Sequence, residues 1–147
     1  MFNGFFGRFL HNIDEKGRIT FPVSFRDQLG ENPFILNGFD QNLLVMDASR
    51  FQRLSEVING KNMGDANTRQ LRRMIFSTAT RIEFDKSGRF IIPQSLREIA
   101  HLEGTALVVG IGKDIEIWNP ESYKEQELNV EGNASAADLV SNFDLTI

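Results

Sequence analysis

At 147 residues the chain is long enough for one ordinary domain, or for two small ones sharing a core. It has no cysteine, which excludes disulfides, thiolate zinc sites and cysteine nucleophiles, and no apolar run of about 18 residues that would form a membrane-spanning helix. The formal net charge of −4 divides unevenly: residues 1–100 hold 14 Lys+Arg against 11 Asp+Glu (+3) and residues 101–147 hold 2 against 9 (−7), so a mildly basic body precedes an acidic tail and the total is a poor guide to local potential.

The opening segment is apolar and aromatic but interrupted by Arg8 and His11. It lacks a basic start and a small-residue cleavage site, so a cytoplasmic protein is expected. Phe2, Phe5, Phe6 and Phe9 suit either the core or a seam between subunits. "RFLHNI" (8–13) reads as a strand, "DEKG" (14–17) as a turn, and "RITF" (18–21) as the returning strand of a hairpin. Alternation puts Arg18 and Thr20 on one face and Ile19 and Phe21 on the other, so Arg18 is expected to point out of the core. Pro22 ends the strand and opens the helix "PVSFRDQL", which Gly30 closes. A second hairpin follows, then a helix from about Ala48.

The spacer "DANTRQLRRMIFSTA" reads as a helix capped by Asp65, with Leu71, Met74 and Ile75 on one face. Arg69, Arg72, Arg73 and Phe76 lie on the other face, a stripe that is either solvated or a contact for protein or DNA. "RIEF" (81–84), the turn 85–88 and "RFII" (89–92) then form a hairpin, and Pro93 opens the helix "PQSLREIA". "TALVVGIG" and "DIEIW" make another hairpin, and Asn119-Pro120-Glu121 caps and starts a last helix. The result is mainly β with short helices, an α+β chain.

The second half repeats the first. "DEKGRITFP" (14–22) returns 71 positions later as "DKSGRFIIP" (85–93), with Ser24, Arg26 and Asp27 lying over Ser95, Arg97 and Glu98. After one inserted residue, "NLLVMDASRF" (42–51) lies over "DIEIWNPESY" (114–123). Two copies are too few for a solenoid, so a pseudo-symmetric pair is expected, each half covering the apolar face of the other. The segments are then a first repeat at 1–53, a helical spacer at 54–78, a second repeat at 79–125 and an acidic tail at 126–147, which is either an interfacial helix or mobile.

Lys16 and Arg18 around Gly17 place two cations on a short, stiff support. Phosphate needs positive charge near backbone N–H groups, and Arg donates bidentately to guanine in a major groove that admits a two-stranded ribbon. The competing reading is a plain turn in which Arg18 pairs with Asp14. Asp14 and Asp85 are turn-makers, since a carboxylate facing phosphate would repel it. The second copy carries Lys86 and Arg89 with the basic residue relocated, so the main contact is expected in the first copy. His11 is read as a partly buried histidine rather than a DNA-facing base.

The two D-x-x-G-R-x-x-x-P-x-x-x-R phrases, the Met-Phe-x-Gly start and the helical spacer resemble the MraZ family, over nearly all of residues 1–123. Each single repeat resembles the wider AbrB/SpoVT class of swapped-hairpin DNA-binding domains. The resemblance implies a swapped-hairpin barrel, and a transcriptional regulator that binds short direct repeats in double-stranded DNA upstream of division and cell-wall genes. It also implies a ring-shaped homo-oligomer and a nucleoid-associated location. Such domains use a helix base for DNA at the position of Arg26, but often with a second base where this chain has Asp27 and Glu98. That departure weakens the helix as a DNA surface and favours an ion pair within the chain or between subunits for Arg26 and Arg97. The DNA-contact candidates are therefore Lys16, Arg18, Arg26, Lys86 and Arg89.

No H-E-x-x-H or G-x-S-x-G motif is present, and "GIGKD" (110–114) suits a hairpin turn better than a phosphate loop because a strand follows it. No enzyme activity, cofactor or metal is expected. The alternative to DNA is an antitoxin-like module whose basic turns bind an acidic protein partner.

Overall fold

The computed structural model describes residues 3–133; Phe2 and the tail beyond residue 133 lie outside the described residues. The first repeat contains β1 (Arg8–Asn12), β2 (Arg18–Thr20), α1 (Val23–Leu29), β3 (Phe34–Asn37), β4 (Leu43–Met46) and α2 (Ala48–Asn59). The spacer is α3 (Ala66–Phe76). The second repeat contains β5 (Thr80–Arg81), β6 (Arg89–Ile91), α4 (Gln94–Ile99), β7 (Thr105–Gly110), β8 (Ile115–Trp118) and α5 (Pro120–Asn133). Strands and short helices share the chain as an α+β fold.

Six strands form one antiparallel sheet in the order β1-β7-β8-β4-β3-β5, and β2 and β6 form a separate two-stranded ribbon. The order is pseudo-symmetric: β1 of the first repeat lies on β7 of the second, β5 of the second lies on β3 of the first, and β4 meets β8 in the middle. The hairpins β3–β4 and β7–β8 form as expected.

The expected hairpins around the two turns do not. Each turn closes, with Gly17 N–H donating to Asp14 O at 2.9 Å and Gly88 N–H to Asp85 O at 3.0 Å, but the flanking strands then part. β1 goes to β7, while β2 pairs with β6, Ile19 opposite Phe90. Burial explains the exchange. Ile19 and Phe90 are 1% and 2% exposed in the shared ribbon, whereas Leu10 on β1 is 64% exposed. Pairing β2 with its counterpart stacks the apolar faces of both copies over one core. The strand expected at 81–84 is reduced to Thr80–Arg81, and Phe84 leaves the sheet to pack on Phe21 and Phe90.

The sheet is also not closed into a barrel. It ends on β1 and β5, because the strands that would continue it, β2 and β6, pair with each other instead.

One apolar cluster lies between the sheet, the ribbon, α1 and α4; Phe21, Phe25, Leu29, Ile92, Leu96 and Ile117 belong to it. Phe25 sits against Phe5 and Phe9 with ring centroids 5.3 and 5.4 Å apart. So the N-terminal aromatics divide: Phe5 is core, while Phe9 stays 39% exposed. A second cluster covers the other face of β3 and β4 with α2 and α3, built on Leu36, Leu44, Met46, Ile58 and Ile75. Phe76 joins it, edge-on to Phe51 at 6.4 Å, so this ring of the spacer stripe takes part in packing. Asp65 and Asp47 cap α3 and α2 as N-cap residues, and Asn119 Oδ1 accepts the Glu121 and Ser122 amides at the start of α5.

Candidate nucleic-acid interface

Both turns are built on an aspartate. Asp14 Oδ1 accepts the Lys16 and Arg18 amides at 3.0 and 2.9 Å, and Asp14 Oδ2 takes Arg18 Nε at 2.6 Å. Asp85 repeats the arrangement with the Ser87 and Arg89 amides, both at 2.9 Å, and Arg89 Nε at 3.0 Å. The donated Arg18 amide, with the Arg18 side chain and the Lys16 amide, holds the Asp14 carboxyl below its ordinary range. The Arg89 amide, with the Ser87 amide and the Arg89 charge, does the same for Asp85. Each aspartate therefore stays ionised and turns its charge inward, toward the arginine it orients. The pairing of Arg18 with Asp14 and the outward reading of Arg18 are thus both realised: the Arg18 side chain keeps 30% of its surface and that of Arg89 36%.

The ribbon brings the two copies together. Arg18 faces Ile91 across it and Thr20 faces Arg89. Directly opposed residues share a face, so Arg18, Thr20, Arg89 and Ile91 form one surface, opposite the buried Ile19–Phe90 pair. Ile91 is 59% exposed on that surface. The ribbon is antiparallel, so the two turns lie at opposite ends of it, with Lys16 and Lys86 exposed at the tips. Four residue steps separate the turn glycines, about 13 Å at the usual rise per residue.

The helix arginines lie underneath. Arg26 Nε donates to Phe21 O at 3.2 Å, and Arg97 Nε to Ile92 O at 2.9 Å. Each thus bonds a backbone carbonyl within the chain. Each guanidinium also reaches the turn of the other repeat. A Cβ placed on Gly17 would lie 2.7 Å from Arg97 Cζ, and one on Gly88 would collide with the Arg26 guanidinium. Both glycines have left-handed φ values, +84° and +77°. The backbone conformation requires glycine at each turn, and a side chain there would displace the arginine that covers it.

His11 is partly buried on β1, and burial pulls its pKa down. Sequence reasoning did not single out Arg50. It forms a two-bond pair with Asp114 (Nε–Oδ1 3.1 Å, Nη2–Oδ2 2.7 Å) that ties α2 of the first repeat to the β7–β8 turn of the second. The repeat alignment gave no signal for the pair, since Asp114 lies over Asn42 and Arg50 over Ser122. Among the described residues no group of three or more His, Cys, Asp or Glu is placed to hold a metal.

The family model described as "MraZ protein, putative antitoxin-like" matches this chain twice, over residues 5–74 and 75–142. A protein of Roseiflexus sp. (strain RS-1) named "Transcriptional regulator MraZ" is 39% identical over 131 residues, covering 89% of this chain and 92% of its own length. Proteins of the same name from Thermomicrobium roseum (38% over 139 residues, covering 93% of this chain and 98% of theirs) and Leuconostoc mesenteroides (34% over 140 residues, 95% and 92%) are similar throughout. With both halves matched and relatives of nearly equal length, this chain belongs to the MraZ family.

Proposed function

We propose that this protein is a transcriptional regulator that binds double-stranded DNA through the β2–β6 ribbon. The observation that carries the reading is the shared outward face of Arg18 and Arg89, each oriented by its own aspartate. A ribbon laid across the roughly 12 Å major groove would turn these arginines toward base edges. Its two turns, about 13 Å apart, would carry Lys16 and Lys86 to the phosphates on either side. Both copies then contribute, rather than the first alone. Arg26 acts on this surface from beneath. The name shared by these relatives, "Transcriptional regulator MraZ", supports the regulatory role.

Four cations per protomer are few for tight binding. We infer that several protomers, arranged in a ring, engage short direct repeats upstream of division and cell-wall genes, on the nucleoid in the cytoplasm. The edge strand β1, with Leu10 64% and Phe9 39% exposed, offers a sheet edge that is unpaired among the described residues for such association.

A salt titration of binding to the chain's own upstream region tests the reading. If Lys16 and Lys86 each neutralise a phosphate, one protomer gives a log–log slope of about −1.8. A steeper slope means that more than one protomer is engaged. No affinity for the duplex, with salt-sensitive capture of an acidic protein instead, would replace this reading with the antitoxin-like one.

A further inference from the structure

We propose that the two DNA-contacting turns are set crosswise: Arg97 of the second repeat positions the first turn with Arg18, and Arg26 of the first repeat positions the second turn with Arg89. The proposal rests on the DNA-binding reading for its effect on affinity, but its structural half stands on geometry alone.

Arg97 lies over Gly17, in the space where a side chain at 17 would stand, and its Nε is anchored to Ile92 O. Ile92 N–H in turn donates to Gly17 O at 2.9 Å. The first turn is therefore clamped from two sides by one short stretch of the second repeat, the guanidinium above and the Ile92 amide beside it. Arg26 covers Gly88 in the same way, anchored to Phe21 O at the end of β2. A planar guanidinium can lie flat on a glycine and donate along its edge at once, which an ammonium cannot. Gly17 and Gly88 are buried, although the residues just before them are exposed. Neither arginine thus needs to touch DNA to control it. Each fixes the backbone from which the other repeat's arginine projects, so a ribbon read by two copies behaves as one unit.

Amide hydrogen exchange on the free protein tests the structural half. Arg97→Ala is expected to speed exchange at Lys16, Gly17 and Arg18 by about tenfold while leaving Ser87, Gly88 and Arg89 unchanged, and Arg26→Ala to do the reverse. Arg97→Lys keeps the charge and stem but not the plane, and should loosen the same turn; it decides the matter if the alanine variant does not fold. Loosening of the wrong turn, of both turns equally, or of neither overturns the proposal.

Binding to a duplex chosen by the wild-type protein from a randomised library tests the functional half. Arg97→Ala should add no further loss to Arg18→Ala, yet its loss should add to that of Arg89→Ala. Additive loss with Arg18→Ala, together with a salt slope reduced by about one, would mean that Arg97 contacts phosphate itself, and would overturn the positioning role. If the wild type selects no duplex, the DNA-binding reading fails, and the exchange pattern still decides whether the crosswise control exists.

Discussion

Asp14 holds Arg18 at both ends, its Oδ1 on the Arg18 amide at 2.9 Å and its Oδ2 on Arg18 Nε at 2.6 Å. The carboxylate thus directs its charge toward aiming the cation rather than toward a phosphate, which it would repel. Asp14→Asn keeps an acceptor for the amides but releases the guanidinium. We expect affinity for random duplex to rise by about threefold, since a negative charge leaves the surface, while affinity for a selected site falls by about tenfold as Arg18 loses its direction. Competition binding with the two duplexes measures both.

The same aspartates give the turns an acid limit. Their folded pKa values lie below the ordinary 3.8, so the unfolded chain binds their protons first as pH falls. The contribution of each aspartate to stability is complete above the ordinary value and is lost as pH falls toward the folded one. Amide protection at Arg18 and Arg89 should persist at pH 5 and weaken only near and below that ordinary value. Loss of protection near neutral pH would contradict this assignment.

His11 carries the opposite kind of group with the same slope. Burial lowers its folded pKa below 6.5, so between 6.5 and that lower value the unfolded state holds more of the proton. Stability therefore rises with pH through this window and is level above it. His11→Leu should remove that part of the pH dependence, as read by urea denaturation at several pH values.

The Arg50–Asp114 pair joins the two repeats away from the ribbon, with the Asp114 side chain only 14% exposed and that of Arg50 37%. A two-bond geometry favours it, and the open arginine side is screened by solvent. A double-mutant cycle on Arg50→Ala and Asp114→Ala should give a coupling of about 1 kcal/mol in stability. DNA affinity should not change.

Much of this arrangement was legible beforehand, and the exceptions have a common cause. Local chemistry identified the turns at Asp14 and Asp85, the cap at Asp65, the stop at Gly30 and the outward face of Arg18, because each depends on neighbours within about four residues. Which strand β2 would pair with was not local. Ile19 suits a hairpin with β1 as well as a ribbon with β6, and only the burial of Phe90 opposite it decides. The same holds for Arg26 and Arg97. Their spacing after proline was visible, but each acts on a glycine of the other copy, and sequence separation hides that contact. Phe76 was assigned to the wrong face of its helix for a related reason: the second cluster is wide enough to take it beside Ile75.

That second cluster gives a direct contrast on one helix. Phe76→Ala removes a ring packed on Phe51 and should cost about 2–3 kcal/mol, whereas Arg73→Ala, on the exposed side, should stay within about 0.5 kcal/mol. Thermal denaturation of the two variants compares them.

The central claim is that Arg18 and Arg89 form one DNA-reading surface. A binding titration with a selected duplex, comparing wild type, Arg18→Ala and Arg89→Ala at one salt concentration, addresses it most directly. Each substitution should lower affinity by at least about tenfold, the size of a lost bidentate arginine–base contact, with the fold intact by circular dichroism. Affinity equal to wild type in Arg18→Ala would contradict the account, and affinity equal to wild type in Arg89→Ala would contradict the shared face.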